Sequence, residues 1–439
     1  MRSRPTRRQF LGTAGTLALS GTPLAAEEPQ KRPKVAAVFT EFTYRSHAHV
    51  ILENFLEPYL FNGERTDPGV EVVSFYADQT PRGHMTEDVA REYKIPIFQT
   101  IEGALCLGGK GLAVDAVLSI GEHGRYPRNN LGQTEYPRKR FFDDIVAVMR
   151  RAERFVPLFN DKHLSYRWDW VKEMADTAAK LGIPFIAGSS VPLAQRIPPF
   201  ALPADAVVTE AVSIHGGGIE SYDFHALEVL QSIVEFRRGG ETGVASVEFL
   251  TGNALWKAAE DGRWSVPLAE AAMAAELGQK PRTLKQVEGE PEAEPHGILV
   301  TYKDGLRACV LKVGRSSTRW NFACTLKDDP TPHATRFHVG PWQNRNLFKA
   351  LAHAIQRHFR TGMPPYPVER TLLVSGILDA SMHSRAKGGE VLKTPHLEFG
   401  YRARDFTAMR ETGASWKIVT EATPEPKGID RTGRTLADK

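Results

Sequence analysis

Between residues 35 and 187, short apolar runs alternate with amphipathic helical stretches, and this alternation constrains the fold more than any other feature of the chain. The runs lie at 35–39, 70–76, 96–98, 114–120, 156–159 and 184–187. That at 114–120 is almost continuously apolar, as expected of a parallel strand buried on both faces. Helical spacing predicts helices over 47–60, 87–93, 101–107 and 141–154. A further stripe, Trp170, Met174, Ala178 and Leu181, ends at Gly182. The order predicts an α/β, Rossmann-like doubly wound parallel sheet over residues 34–190.

The second half changes character. Runs at 206–214, 243–250, 297–302, 307–313, 320–326 and 335–339 predict strands, most of them in succession. Helices are expected after His225 and over 347–360, and a solvated loop over 282–295. This predicts an α+β domain over 191–421 with an open, mostly antiparallel sheet. The tail, 422–439, is charged and poor in large apolar residues, which predicts an extended or mobile segment.

Residues 1–26 pair a basic start with a weakly apolar run too short and too rich in Gly, Ser and Thr to span a bilayer. Thr6-Arg7-Arg8-Gln9-Phe10-Leu11 resembles a twin-arginine export signal, which implies a periplasmic protein. The whole chain has 56 Lys and Arg against 52 Asp and Glu. Residues 1–26 contain Arg2, Arg4, Arg7 and Arg8 and no acid, so without them the balance is 52 against 52. Such a surface points to neither a nucleic-acid nor an anionic-membrane partner. Cys106, Cys309 and Cys324 are odd in number and widely spaced, which predicts buried free thiols rather than a disulfide framework.

In an open α/β sheet, ligands sit outside the carboxyl ends of the strands. Three polar clusters follow such ends: 121–126 with Glu122, His123 and Arg125; 160–163 with Asp161, Lys162 and His163; and 188–190. His215 and the stretch 221–225, with Ser221 and His225, could close over them. Several ionisable residues at successive strand ends favour a site over a set of helix caps.

These segments resemble the glucose–fructose oxidoreductase / inositol dehydrogenase (Gfo/Idh/MocA) family over roughly 34–395. The likeness rests on Arg45-Ser46-His47-Ala48, Tyr93-Lys94-Ile95-Pro96, the Val-Asp-Ala-Val run at 114–117, Asp161-Lys162-His163, and His215-Gly216-Gly217-Gly218 followed by His225. It implies an oxidoreductase acting on a sugar or cyclitol hydroxyl with NAD or NADP, and a homo-oligomer paired through the flat second sheet. On this reading Lys162 stabilises an alkoxide, His225 shuttles the hydroxyl proton, and Asp161 completes the catalytic group. Glu41, Tyr44, Asp78 and Glu122 border the cofactor, with Asp78 at the end of a strand where an acid would meet a ribose. His123, Arg125, His163 and Ser221 face the substrate.

The chain also departs from the family pattern. Phe39, Glu41 and Tyr44 stand where three glycines would seat a pyrophosphate, and Glu41 adds a negative charge there. Ser221 replaces the expected Asp four residues before His225, leaving Glu220 or Asp223 to orient the imidazole. A second class of function stays open. Glu122, His123, Asp161, His163, His215 and His225 supply ligand types for a divalent metal, without a metal-binding spacing, and would suit a metal-assisted or cofactor-independent sugar lyase, hydrolase or epimerase. A non-catalytic sugar-binding protein on the same fold is the third.

Overall fold

A computed structural model describes residues 32–435. The twin-arginine segment lies outside the described residues. In chain order the strands are β1 (Lys34–Phe39), β2 (Tyr59–Phe61), β3 (Glu64–Thr66), β4 (Glu71–Ala77), β5 (Ile97–Phe98), β6 (Ala116–Ile120), β7 (Leu158–Asp161) and β8 (Phe185–Gly188). They continue as β9 (Gln195–Ile197), β10 (Val208–His215), β11 (Val244–Thr251), β12 (His296–Tyr302), β13 (Arg307–Lys312), β14 (Trp320–Leu326), β15 (Asp329–His338) and β16 (Leu392–Lys393). The helices are α1 (His47–Leu56), α2 (Thr86–Tyr93), α3 (Ile101–Cys106), α4 (Arg138–Arg151), α5 (Trp168–Leu181), α6 (Ser221–Val234), α7 (Gly252–Glu260), α8 (Val266–Leu277), α9 (Leu347–Thr361), α10 (Val368–Ala386) and α11 (Thr432–Thr435). Among the described residues, no helix is long and apolar enough to cross a membrane.

The first sheet runs β5-β4-β1-β6-β7-β8, and every pairing is parallel. The chain leaves β1 on one side for β4 and β5, then crosses to β6 on the other. That reversal places a crevice outside the carboxyl ends of β1 and β6. The second sheet runs β16-β11-β12-β13-β10-β14-β15-β9 and is antiparallel except where β10 lies beside β13. One apolar cluster joins Phe39 and Phe75 of the first sheet to Ile298 and Val310 of the second, through Phe224 of α6 and Leu351 of α9. All three cysteines are buried free thiols.

Three expectations change. Helix α1 stops at Leu56, not 60, because Glu57 precedes Pro58 and takes an extended conformation, φ −127° and ψ 151°. Tyr59–Phe61 then forms the short β2–β3 hairpin instead. Helices α7 and α8, absent from the sequence reading, lay Leu255, Leu268, Ala272 and Met273 against Val212, Leu299, Leu311 and Ala323 of the second sheet. Finally, the tail is extended but anchored: Lys349 pairs with Asp430 at 2.5 Å, and Arg345 pairs with Glu425 at 3.2 Å. Ion pairs hold it, with Ile429 packed against the core, and such a mainly charged anchorage is why its composition suggested mobility.

Candidate functional site

A cavity of about 840 Å³ opens at the switch-point crevice, lined among others by Glu122, His123, Lys162, Ser221 and His225. Loops after β6 and β7 of the first sheet and the start of α6 bring these residues together. Asp161 joins from behind, its carboxylate 2.6 Å from Nδ1 of His47, the first residue of α1.

Lys162 follows the last residue of β7 and takes a left-handed φ of 68°, which turns its side chain out of the strand direction. It is buried, with Nζ 3.3 Å from Glu122 Oε1 and donating to the Ser221 carbonyl at 3.3 Å. Glu122 also accepts from Arg138, whose other arm lies 3.1 Å from His163 Nε2. Burial opposes ionisation of Glu122, but the Lys162 and Arg138 charges outweigh it and hold the carboxyl well below the usual range. Glu122 is therefore a carboxylate that fixes the Lys162 side chain in the cavity wall.

This pair depends on Gly121, since a Cβ there would lie 2.6 Å from Arg138 Cγ. Gly121→Ala should push Arg138 off Glu122 and cost about 1–3 kcal/mol, as other overpacked core sites do. Urea unfolding at pH 7 measures it, and an unchanged midpoint would show that Arg138 can move aside freely.

His225 sits in the second turn of α6, not at its start, because the helix begins at Ser221. Its Nδ1 lies 2.6 Å from Ser189 Oγ. Ser189 orients it, since Asp223 is engaged by His215 and His296 instead. Burial, reinforced by the Lys162 and His47 charges, holds the imidazole well below its usual value. His225 is thus neutral near pH 7, for reasons of burial rather than of a helix terminus. His123, with Nδ1 accepting from the His47 N–H at 3.3 Å, is likewise lowered by burial, to about 4.

Six sequence-predicted residues lie outside the cavity wall, Asp161 behind it and five elsewhere. Asp78 follows β4 as expected, but its carboxylate accepts from Tyr76 at 2.8 Å and Tyr126 at 2.7 Å and pairs with Arg140. The structure thus places the Asp78 carboxylate among protein partners. Tyr44 donates to Glu425 of the tail at 2.9 Å, and Glu41 accepts from Thr43 at 2.9 Å. Arg125 is exposed, its backbone held by Gln79. His163 is buried behind Glu122 and Arg138.

The dinucleotide crevice itself is packed. Phe39 and Phe42 are fully buried against Phe75, and the Phe42 carbonyl accepts from the Met85 N–H at 2.6 Å. Residues present do not fit a dinucleotide seated as a glycine-rich turn would seat it. The six scattered ligand types also do not gather. Among the described residues, the one cluster with metal-ligand spacing is His215, Asp223 and His296, all buried. Its atoms are already hydrogen-bonded to one another, Asp223 Oδ1 lying 2.9 Å from His215 Nε2 and 2.7 Å from His296 Nε2.

Sequence reasoning missed the aromatic wall, where the Trp320 and Tyr222 rings stack at 5.1 Å and 11°. Trp320 had registered only as a strand residue, and no local pattern marks a side chain reached from another element. It also named Glu220 only as an orienting group, although that residue lines the cavity.

No family model matches the sequence, and neither does any curated protein. Solved structures do resemble the fold. GenD2 from gentamicin A biosynthesis, in complex with NAD, is 12% identical at a TM-score of 0.53 over 85% of this chain and 99% of its own. The myo-inositol dehydrogenase of Lactobacillus casei, in complex with NAD(H) and myo-inositol, is 13% identical at 0.51 over 83% and 97%. The myo-inositol 2-dehydrogenase of Lactobacillus plantarum is 11% identical at 0.50 over 83% and 99%. At these identities the likeness is one of fold: a Rossmann-like parallel sheet followed by a second, mostly antiparallel sheet.

Proposed function

We propose that the chain is an NAD(P)-linked oxidoreductase acting on a hydroxyl of a sugar or cyclitol, exported to the periplasm by the twin-arginine pathway. The observation that carries it is the convergence of Lys162, His225 and Glu122 on one cavity at the switch point of a dehydrogenase fold. In that cavity Lys162 would stabilise a developing alkoxide. His225 would hold the hydroxyl by hydrogen bonding, and Trp320 with Tyr222 would offer apolar ring faces to the carbon skeleton. The dinucleotide, when bound, supplies hydride acceptance. With the usual seat packed, it would have to be held from the cavity side, by the 121–126 and 160–163 loops.

The packed seat favours a second reading: cofactor-independent acid–base chemistry on the same class of substrate. Native mass spectrometry of exported protein, with NAD and NADP titrated by calorimetry, separates the two and counts subunits. The first reading expects a bound dinucleotide, and Glu41→Gly should tighten it about tenfold by removing a charge beside the α1 N-terminus. No binding of either cofactor at millimolar concentration to either protein would remove the oxidoreductase reading.

A further inference from the structure

We propose that Glu220 is the general acid–base of this cavity, presented to it by a strained turn. This rests on the cavity being the reaction site. Glu220 has φ 68° and ψ −66°, and the Ser221 N–H donates to the Ile219 carbonyl across it at 2.9 Å. That is a γ-turn of the rare, left-handed kind, which costs free energy at any residue bearing a Cβ. Glycine would sit there more easily, and Gly216, Gly217 and Gly218 lie just before it. Capping α6 does not require glutamate, because Ser, Thr, Asp or Asn cap helices from unstrained backbone.

The surroundings hold the strained residue in place. The Glu220 N–H donates to Asp223 Oδ2 at 2.7 Å, while Asp223 Oδ1 is gripped by His215 and His296. The Gly217 N–H donates to His215 Nδ1 at 3.2 Å, which leaves Nε2 to carry the proton toward Asp223. Glu220 lines the cavity; its carboxylate accepts from the Asp223 N–H at the start of α6, while its buried Oε1 has no hydrogen-bond partner, the neutral His163 ring lying with Nε2 3.8 Å away. The charged groups facing it are Arg138 of α4, Glu122 after β6 and Lys162 after β7, with His163 beside them. Burial dominates these and pushes the carboxyl up to about 7. His225, held well below its usual value, is a weak base at neutral pH. Glu220 instead changes charge in the range where a general acid–base works best. The step is a proton transfer: the substrate O–H breaks, its proton passes to the Glu220 carboxylate, and the electron pair stays on an oxygen facing Lys162. The reverse step returns the proton.

The test compares wild type with Glu220→Gln in two ways. Thermal unfolding is followed from pH 5 to 8. A carboxyl raised from 4.5 to about 7 by folding stabilises the wild type less as pH rises through that window. The Tm of the Gln variant should therefore gain on wild type as pH rises. Turnover is followed with NAD and a panel of aldoses and cyclitols, where Glu220→Gln should lose 100-fold or more and the wild-type ionisation near pH 7. A Tm difference that is constant, or that moves the other way, marks an ordinary ionised cap and overturns the proposal, as does an unchanged pH–rate profile. Absence of turnover in wild type overturns the oxidoreductase reading, and the thermal comparison then still decides for or against Glu220 by itself.

Discussion

Lys162→Met should lower kcat by about 10²–10³-fold or more, the usual cost of removing a preorganised group that stabilises developing negative charge. The loss should fall on kcat rather than KM, because the charge it meets develops only in the transition state. Folding should survive, since Arg138 still pairs with Glu122. Lys162→Gly gives an independent check. The backbone there has a φ of 68°, which glycine adopts without strain, so that variant removes the side chain and relieves the turn together. Steady-state kinetics on the best substrate from the sugar and cyclitol panel decide the matter. Either variant turning over at the wild-type rate would end the assignment of Lys162.

Arg345→Ala should destabilise the protein by about 3–5 kcal/mol, the range for breaking one side of a buried ion pair. Arg345 donates to Glu53 at 3.1 and 2.6 Å, and both side chains are fully buried. It also holds the tail, donating to the Pro426 carbonyl at 2.6 Å and the Gly428 carbonyl at 2.7 Å. Burial already raises the Glu53 carboxyl above its usual value. Without Arg345 nothing of like strength opposes that burial, so the folded variant would rather keep Glu53 protonated. Its deficit against wild type should then be largest near pH 8 and shrink as pH falls toward 5. Urea unfolding at several pH values measures this, and limited proteolysis should cut beyond residue 421 sooner. A deficit independent of pH would mean that packing, not an orphaned Glu53, carries the cost.

Local pattern alone determined much of the first half. Apart from the β2–β3 hairpin, the strands and helices from Lys34 to Gly188 follow apolar periodicity, because each must bury one stripe or both faces whatever its neighbours are. Gly182 closed α5 where its left-handed φ of 65° was needed. The same logic placed the polar clusters at strand ends, and so brought Glu122 and Lys162 to notice before their geometry was known, while His225 came from a stretch expected to close over them. It failed where a fate depends on a distant partner. Helix α8 is apolar nearly all round, so periodicity gave no face to read, and only the second sheet explains it. Asp78 stands where a ribose-binding acid would, yet Tyr126 and Arg140 from elsewhere in the chain claim its carboxylate. The tail is too polar to predict its own docking, since ion pairs leave no hydrophobic signature. Glu220 is one carboxylate among many in the sequence. What the sequence determined by itself was therefore the order of elements and the residue types at their ends. Which of those residues face a cavity, which are neutralised by partners and which are held under strain was decided by the tertiary structure, because burial and long-range pairing are properties of the packed chain and not of any local window.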